Sequence, residues 1–267
     1  MATARRTVIA GAVALALTGC SRTTRAAPAS TSPTITRPSA PPGSVEVTGA
    51  IPLERRRAYR SHVTTAMREV TSLWHTDWRT VGVRLVVATS GEEFARLTGR
   101  PANGTVPAVT TAAGVVVVHP ALWTSTSADG RQVVITHELT HVALGQGRLT
   151  GVPLWVIEGS AEVTAYRSTG LSPRQVAPSL FRAVASGELP TGPPPDDEVR
   201  STDGSPTLAY QKAWAWCSFL AQRRGLEVFT AFVRRADARE PGAFRAAYGV
   251  EPNGLTAAYR TWLRAQA

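Results

Sequence analysis

Apolar and polar positions in the first half of the chain follow the periods of both helices and strands. Apolar residues three or four positions apart predict an amphipathic helix over residues 53–74; they are Tyr59, Val63, Met67, Val70 and Trp74. The apolar run VRLVVA, residues 83–88, predicts a strand. The stretch AVTTAAGVVVVHP, residues 108–120, predicts a hairpin or a pair of strands. The first half therefore mixes helices with strands.

Capping residues indicate where two further helices begin. Ser90 and Glu93 have the spacing of a capping box and predict a short helix after Ser90. A longer helix is predicted over GRQVVITHELTHVALG, with Asp129 as its cap. We expect that helix to stop at Gly145 or Gly147, because glycine adopts the left-handed conformation that ends many helices.

The second half of the chain predicts helices alone. Pro153 suits the first turn of a helix over PLWVIEGSAEVTAYRS. A proline-rich loop is expected at residues 190–206, and further helices are expected at about 173–186, 207–224, 226–238 and 253–266. This order predicts an α+β fold, in which a small mixed sheet precedes a mainly helical half. Residues 44–267 would form one domain or two closely packed lobes.

The N-terminal segment has the pattern of an export signal. Arg5 and Arg6 precede the apolar run TVIAGAVALALT, which is shorter than the about 20 residues that a membrane-spanning helix needs. LTGC follows and ends at Cys20; it resembles the lipobox of bacterial lipoproteins, in which the cysteine carries the lipid. The resemblance implies a signal peptide at residues 1–19 and a protein anchored through Cys20 on the extracytoplasmic side of the cell membrane. The alternative is ordinary secretion.

Residues 20–43 are rich in Ser, Thr, Pro and Ala, which predicts a disordered tether between anchor and domain. With Cys20 lipidated, Cys217 would be the only remaining thiol, so no internal disulfide is expected. The apolar context AWAWCSFL predicts that Cys217 is a buried small side chain rather than a nucleophile.

The positive charge of the chain is concentrated near its N-terminus. Of the net charge of +10, residues 1–43 contribute five arginines and no acidic residue, which leaves +5 for residues 44–267. The arginines of that domain are scattered and do not alternate with aromatic residues as on nucleic-acid-binding surfaces. We therefore expect no nucleic-acid partner. The sequence does not set the oligomeric state, for which a monomer is the default expectation.

The motif HELTH places two histidines four residues apart around a glutamate. Residues four apart share one face of a helix, so His137 and His141 can point at the same ion. Zinc accepts neutral imidazole nitrogens, and a catalytic zinc site usually has three protein ligands and a water. Glu138 is placed to take a proton from that water as general base. The motif predicts a zinc site whose third ligand lies elsewhere.

Two known patterns supply such a third ligand. The metzincin pattern needs a glycine and a histidine three and six residues after the second histidine, but Leu144 and Gly147 occupy those positions. HELTH followed by LWVIEGSAEVTAY is similar instead to the gluzincin, or thermolysin-like, metallopeptidase superfamily. The resemblance implies a zincin-like fold and Glu158 as third ligand of one Zn²⁺ ion, beside His137 and His141. Glu162, one turn later, would then accept a hydrogen bond from a ligating imidazole.

The resemblance also implies residues that act on the substrate. LAYQKAWAWCSFL resembles the tyrosine-bearing helix of these families, which implies that Tyr210 donates a hydrogen bond to the oxyanion; Tyr166 is the alternative. The edge strand before the zinc helix commonly binds the substrate main chain in such enzymes. Ala112, Ala113 and Gly114 lie in the matching place and are expected to border the cleft.

The sequence thus predicts a zinc-dependent peptidase that hydrolyses peptide bonds of a peptide or protein substrate outside the cell membrane. The alternative is a non-catalytic exported zinc-binding lipoprotein that serves as a pseudo-peptidase or binding module. The retained Glu138 favours the peptidase, because this carboxylate is not needed to hold the metal. His119 is expected to be structural rather than a fourth ligand, and His62 and His75 are assigned no function.

Overall fold

The computed structural model describes residues 40–200 and 206–267. The signal peptide expected at residues 1–19, the lipid site at Cys20 and most of the expected tether lie outside the described residues. The fold is α+β, with a small mixed sheet and a helical C-terminal half, as the sequence predicted. In the ranges that the structure describes, no helix is both long enough and apolar enough to cross a membrane.

Four short strands form the sheet: β1 (Val45–Thr48), β2 (Val83–Val87), β3 (Ala108–Thr110) and β4 (Val115–Val118). Their order in space is β1-β2-β4-β3; β1, β2 and β4 are parallel, and β3 runs antiparallel to β4. The expected strand and hairpin are therefore confirmed, whereas β1 was not predicted. All four valines of β4 are buried, which is typical of a central strand covered on both faces. β3 is left at the edge of the sheet.

Between residues 40 and 170 the structure has five α-helices: α1 (Leu53–Trp74), α2 (Gly91–Thr98), α3 (Leu122–Ser125), α4 (Ala128–Leu144) and α5 (Leu154–Tyr166). Helix α1 follows the predicted apolar period and returns the chain from β1 to the parallel strand β2. Helix α2 starts at the predicted cap, where the Ser90 hydroxyl accepts a hydrogen bond from the Glu93 amide. A 3₁₀ turn, Gln146–Arg148, joins α4 to the segment before α5.

The helical half contains α6 (Pro173–Val176), α7 (Pro178–Ala185), α8 (Asp196–Arg200), α9 (Pro206–Arg224), α10 (Leu226–Asp237), α11 (Ala243–Tyr248) and α12 (Thr256–Gln266). The single helix expected at 173–186 is two helices, because Pro178 has no amide hydrogen and starts a new one. Helix α8 lies inside the expected loop 190–206, and α11 was not predicted.

The segment just before β1 belongs to the packed domain. Ala40 is buried. A Cβ added at Gly82 would lie only 1.8 Å from the Ala40 carbonyl oxygen, so the two backbones are in close contact. The amide of Gly43 donates to the carbonyl of Trp78. Residues 40–43, which the sequence analysis assigned to the tether, therefore pack against the domain.

Helices α4 and α5 lie at the centre of the molecule, between α1 on one side and α9 on the other. Almost every residue of α5 is buried, and its Trp155 stacks on Phe232 and packs edge-on against Trp216. Cys217 is a buried free thiol, as expected, and burial raises the pKa of that thiol. The two central helices carry the residues of the predicted metal site.

Candidate metal centre

Helix α4 is fixed at both ends. The Ser127 hydroxyl accepts a hydrogen bond from the Gly130 amide and caps the first turn. The sequence-based assignment of this cap to Asp129 was wrong by two residues; Asp129 lies within the first turn, where its charge complements the helix dipole. Gly145 ends the helix in the left-handed conformation with φ 66°, as predicted.

Helix α5 is capped from outside its own segment. Pro153 precedes the first residue and provides no side-chain cap, but the Asp196 carboxylate accepts a hydrogen bond of 2.8 Å from the Leu154 amide. Asp196 begins α8, so the proline-rich segment stabilises the helix that carries Glu158. Gly159, the next residue, permits α9 to approach, because a Cβ there would lie 2.5 Å from Cys217 Sγ.

His137, His141 and Glu158 converge on one point between α4 and α5. The two histidine Nε2 atoms are 3.0 Å apart. Glu158 Oε2 lies 3.3 Å from His137 Nε2 and 3.5 Å from His141 Nε2. All three side chains are buried, and no other group of three such residues occurs in the part of the chain that the structure describes. The structure therefore brings together the three side chains that the sequence predicted as ligands.

These separations fit a metal ion. Tetrahedral ligand atoms at about 2.0–2.1 Å from an ion lie about 3.3–3.4 Å from one another. The three separations of 3.0, 3.3 and 3.5 Å in the structure scatter around that value. The group can thus bind a metal ion through two imidazole nitrogens and one carboxylate oxygen, which is a donor set that leaves a fourth position for water or substrate.

The electrostatics of the group favour a positive charge at its centre. Burial disfavours the charged form of His137, but the carboxylates of Glu158 and Glu162 outweigh burial and raise the His137 pKa to about 10. For Glu158, burial alone would raise the pKa, but the two imidazoles have the larger effect and lower the Glu158 pKa to about 2. The cluster is therefore stabilised by a cation at its centre, whether protons or a metal ion supply that charge.

Glu138 lies in the same cleft but is not one of the three converging residues. The Thr110 hydroxyl is 2.6 Å from Glu138 Oε2 and 3.0 Å from the Glu138 main-chain oxygen. Thr110 is the last residue of β3, so the edge strand orients the predicted general base. No local pattern in the sequence indicates this contact.

Each candidate histidine has a partner behind it. Glu162 Oε1 lies 3.2 Å from His137 Nδ1, which is close but not aligned well enough to count as a hydrogen bond. Glu162 therefore lies beside the imidazole, but the hydrogen bond predicted between them is not formed. His141 Nδ1 lies 2.9 Å from the side-chain oxygen of Gln146, a residue that the sequence interpretation had not considered. Such partners hold an imidazole in the orientation and tautomer that a metal requires.

Tyr210 lines the cleft together with the three converging residues and Glu138. Its ring centroid lies 6.4 Å from that of His137. The cleft is small, about 40 Å³, which suits one or two small groups beside the candidate ligands. Tyr166, the alternative, does not line this cleft; it is partly buried, and burial raises the pKa of its hydroxyl. Of these two tyrosines, Tyr210 is therefore the one placed to contact a group bound in the cleft.

Ala112, Ala113 and Gly114 border a second, larger groove of about 960 Å³. The groove meets the small cleft, since Thr110, His141 and Gly147 line both. The three predicted residues form the turn of the β3–β4 hairpin rather than a strand, because the Gly114 amide donates back to the Thr111 carbonyl. They can therefore border a bound chain but cannot pair with it as three successive strand residues.

The loop after α4 also covers part of the sheet edge. A Cβ on Gly147 would lie 2.5 Å from the Thr111 carbonyl oxygen, so the two backbones touch there. This contact lies just beyond the last residue of β3, so the loop after α4 covers the sheet edge at Thr111.

The other three histidines lie outside the candidate centre. His119 Nε2 donates a hydrogen bond to the Ala102 carbonyl, and its Nδ1 accepts one from the Ala121 amide. This side chain therefore stabilises the loop before β3. His62 bonds to Gln132 and joins α1 to α4. His75 ends α1 in the left-handed conformation.

Sequence reasoning missed the residues that support the ligands, namely Thr110, Gln146, Asp196 and Asp237. Gln146 stands directly after the helix-ending Gly145, which is the one local signal that could have drawn attention to it. Asp237 lies 91 residues further along the chain and contacts Gln146 only through the fold.

No protein-family model matches the chain, and no curated protein matches its sequence. The residues and their geometry therefore support the candidate centre.

Proposed function

We propose that the protein is a zinc-dependent peptidase of the gluzincin type. One observation carries the proposal: Glu138 lies in the same small cleft as the converging His137, His141 and Glu158, and a hydroxyl on the neighbouring strand orients its carboxylate. Two imidazoles and one carboxylate with an open fourth position form the donor set of catalytic zinc in many peptidases. A purely structural zinc site would more often be closed by four protein ligands.

The residues of the chain divide the chemistry among them. His137, His141 and Glu158 would hold the zinc ion, which when bound acts as a Lewis acid and lowers the pKa of water. Glu138 accepts a proton from the attacking water and returns it to the leaving amine. The Tyr210 phenol donates a hydrogen bond to the oxyanion that forms on the attacked carbonyl. Thr110 keeps the Glu138 carboxylate directed into the cleft.

The substrate in this proposal is a peptide or protein segment that lies in the larger groove and presents one carbonyl to the small cleft. The shared lining of Thr110, His141 and Gly147 supports this path. We also propose that the domain is held at the outer face of the membrane through Cys20. The support for this anchor is the N-terminal sequence, in which two arginines and an apolar run precede LTGC.

The direct test incubates the full-length, zinc-loaded protein with a mixed peptide library and identifies new termini by mass spectrometry. We expect cleavage that a chelator abolishes and that added Zn²⁺ restores. A protein that binds stoichiometric zinc but leaves the library intact would refute the peptidase and support the non-catalytic binding module. A protein that binds no zinc would refute both.

A further inference from the structure

A chain of polar side chains runs from the second candidate ligand into the helical half. His141 Nδ1 lies 2.9 Å from Gln146 Oε1. Gln146 Nε2 in turn lies 3.0 and 3.3 Å from the two carboxylate oxygens of Asp237, the last residue of α10. All three groups are mostly buried, so water competes little for these contacts. The chain thus joins α4 to α10 across the back of the centre.

The direction of these hydrogen bonds is determined at the Asp237 end. A carboxylate only accepts, so the Gln146 amide must turn its NH₂ group toward Asp237. The Gln146 oxygen then faces His141, and the imidazole must donate its Nδ1 hydrogen. In a neutral ring that leaves the Nε2 lone pair free, and this is the atom that faces His137 and Glu158.

The Ser160 hydroxyl is a second acceptor that orients the Gln146 amide in the same direction. The Ser160 hydroxyl donates its hydrogen to the Ile157 carbonyl at 2.9 Å, so toward Gln146 its oxygen can only accept. Gln146 Nε2 lies 3.4 Å from that oxygen. Two acceptors, from α5 and α10, therefore face the same NH₂ group.

We propose that Asp237, acting through Gln146, selects the Nδ1–H tautomer of His141 and so sets the affinity of the centre for its metal ion. The inference rests on the metal centre of the proposed function. Asp237 and Gln146 are positioning residues, since neither lies among the three converging ligands. Burial raises the Asp237 pKa to about 6, with the Gln146 hydrogen bond opposing that rise, so the carboxylate remains charged at neutral pH.

Asp237→Asn tests this selection at constant shape. An asparagine can donate as well as accept, so only the longer contact with Ser160 still orients the Gln146 amide, which can then rotate and present its NH₂ group to His141 Nδ1. That orientation forces the imidazole hydrogen onto Nε2 and blocks ligation. We expect zinc to bind about 10- to 100-fold more weakly, as is typical when the partner of a ligating residue is lost. The measurement is competition with a chromophoric chelator at neutral pH.

The reciprocal double variant Gln146→Glu with Asp237→Asn provides the rescue. It keeps the net charge and the number of side-chain heavy atoms, and the carboxylate introduced at position 146 accepts both from His141 and from the new amide. We expect zinc affinity close to that of the wild-type protein. Glu240→Gln, which removes an exposed carboxylate near the end of α10, is the matched control and should bind zinc normally.

Two results overturn the inference: wild-type zinc affinity in Asp237→Asn, or a double variant that binds no more tightly than Asp237→Asn while both remain folded by circular dichroism. Failure of the proposed function is distinguishable, because it appears as an inactive wild-type protein with normal zinc affinity. These affinity measurements do not depend on peptide cleavage.

Discussion

Glu138→Gln is expected to retain stoichiometric zinc and to lower the rate of peptide hydrolysis by about 10²- to 10⁴-fold, the usual contribution of a general base. The metal remains because His137, His141 and Glu158 form the converging group without Glu138. The glutamine oxygen still accepts from the Thr110 hydroxyl, so the side chain keeps its position. An amide cannot accept the proton of the attacking water, and the rate falls for that reason alone.

The measurement for this variant pairs zinc content by mass spectrometry with the turnover of a peptide that the wild-type protein cleaves. Glu188→Gln, an exposed site outside the cleft, is the control and should match the wild-type protein in both. If Glu138→Gln lost its zinc, Glu138 would be holding the ion instead of acting as base. A variant as active as the wild-type protein would show that the base lies elsewhere.

Gly159→Val is expected to destabilise the fold by about 3 kcal/mol, at the upper end of the cost of overpacking a core. A Cβ at this position would lie 2.5 Å from Cys217 Sγ and 2.8 Å from the Ala213 carbonyl oxygen, so α9 would have to move away from α5. Backbone atoms cannot yield as a flexible side chain does. Because Glu158 is the adjacent residue, zinc affinity should also fall.

Denaturant unfolding of the metal-free protein gives the first effect, and chelator competition gives the second. Gly192→Val is the matched control, because a Cβ there meets no atom within 4 Å and should change stability by less than about 0.5 kcal/mol. Equal unfolding midpoints for Gly159→Val and the wild-type protein would mean that α5 and α9 are not in such close contact.

The periodicity of the chain was sufficient to predict the longest elements. The apolar spacing in α1 and the valine run of β4 are local signals, and the structure has both elements where they were expected. Strand β1 was missed, because a four-residue strand at the sheet edge with two half-buried positions leaves little pattern to read. The cap of α4 was misplaced because Ser127 and Asp129 are both good capping residues, and only the backbone conformation selects between them.

The candidate ligands were more predictable than the residues that support them. His137 and His141 are related by helix geometry, and Glu158 by a motif on the next helix, so the candidate group required no tertiary information. Gln146 and Asp237 are related only by the packing of α10 beside α4, which a single sequence does not encode in any local spacing. Thr110 could not be predicted for a similar reason, because its role depends on the position of the edge strand.

The proposed centre would hold one metal ion between α4 and α5, on two histidines and one glutamate. A crystal structure of the zinc-loaded protein, with anomalous diffraction at the zinc absorption edge, tests this claim most directly. We predict one strong peak at about 2.0–2.2 Å from His137 Nε2, His141 Nε2 and a carboxylate oxygen of Glu158. A zinc peak bound to other residues, with this centre empty, would contradict it.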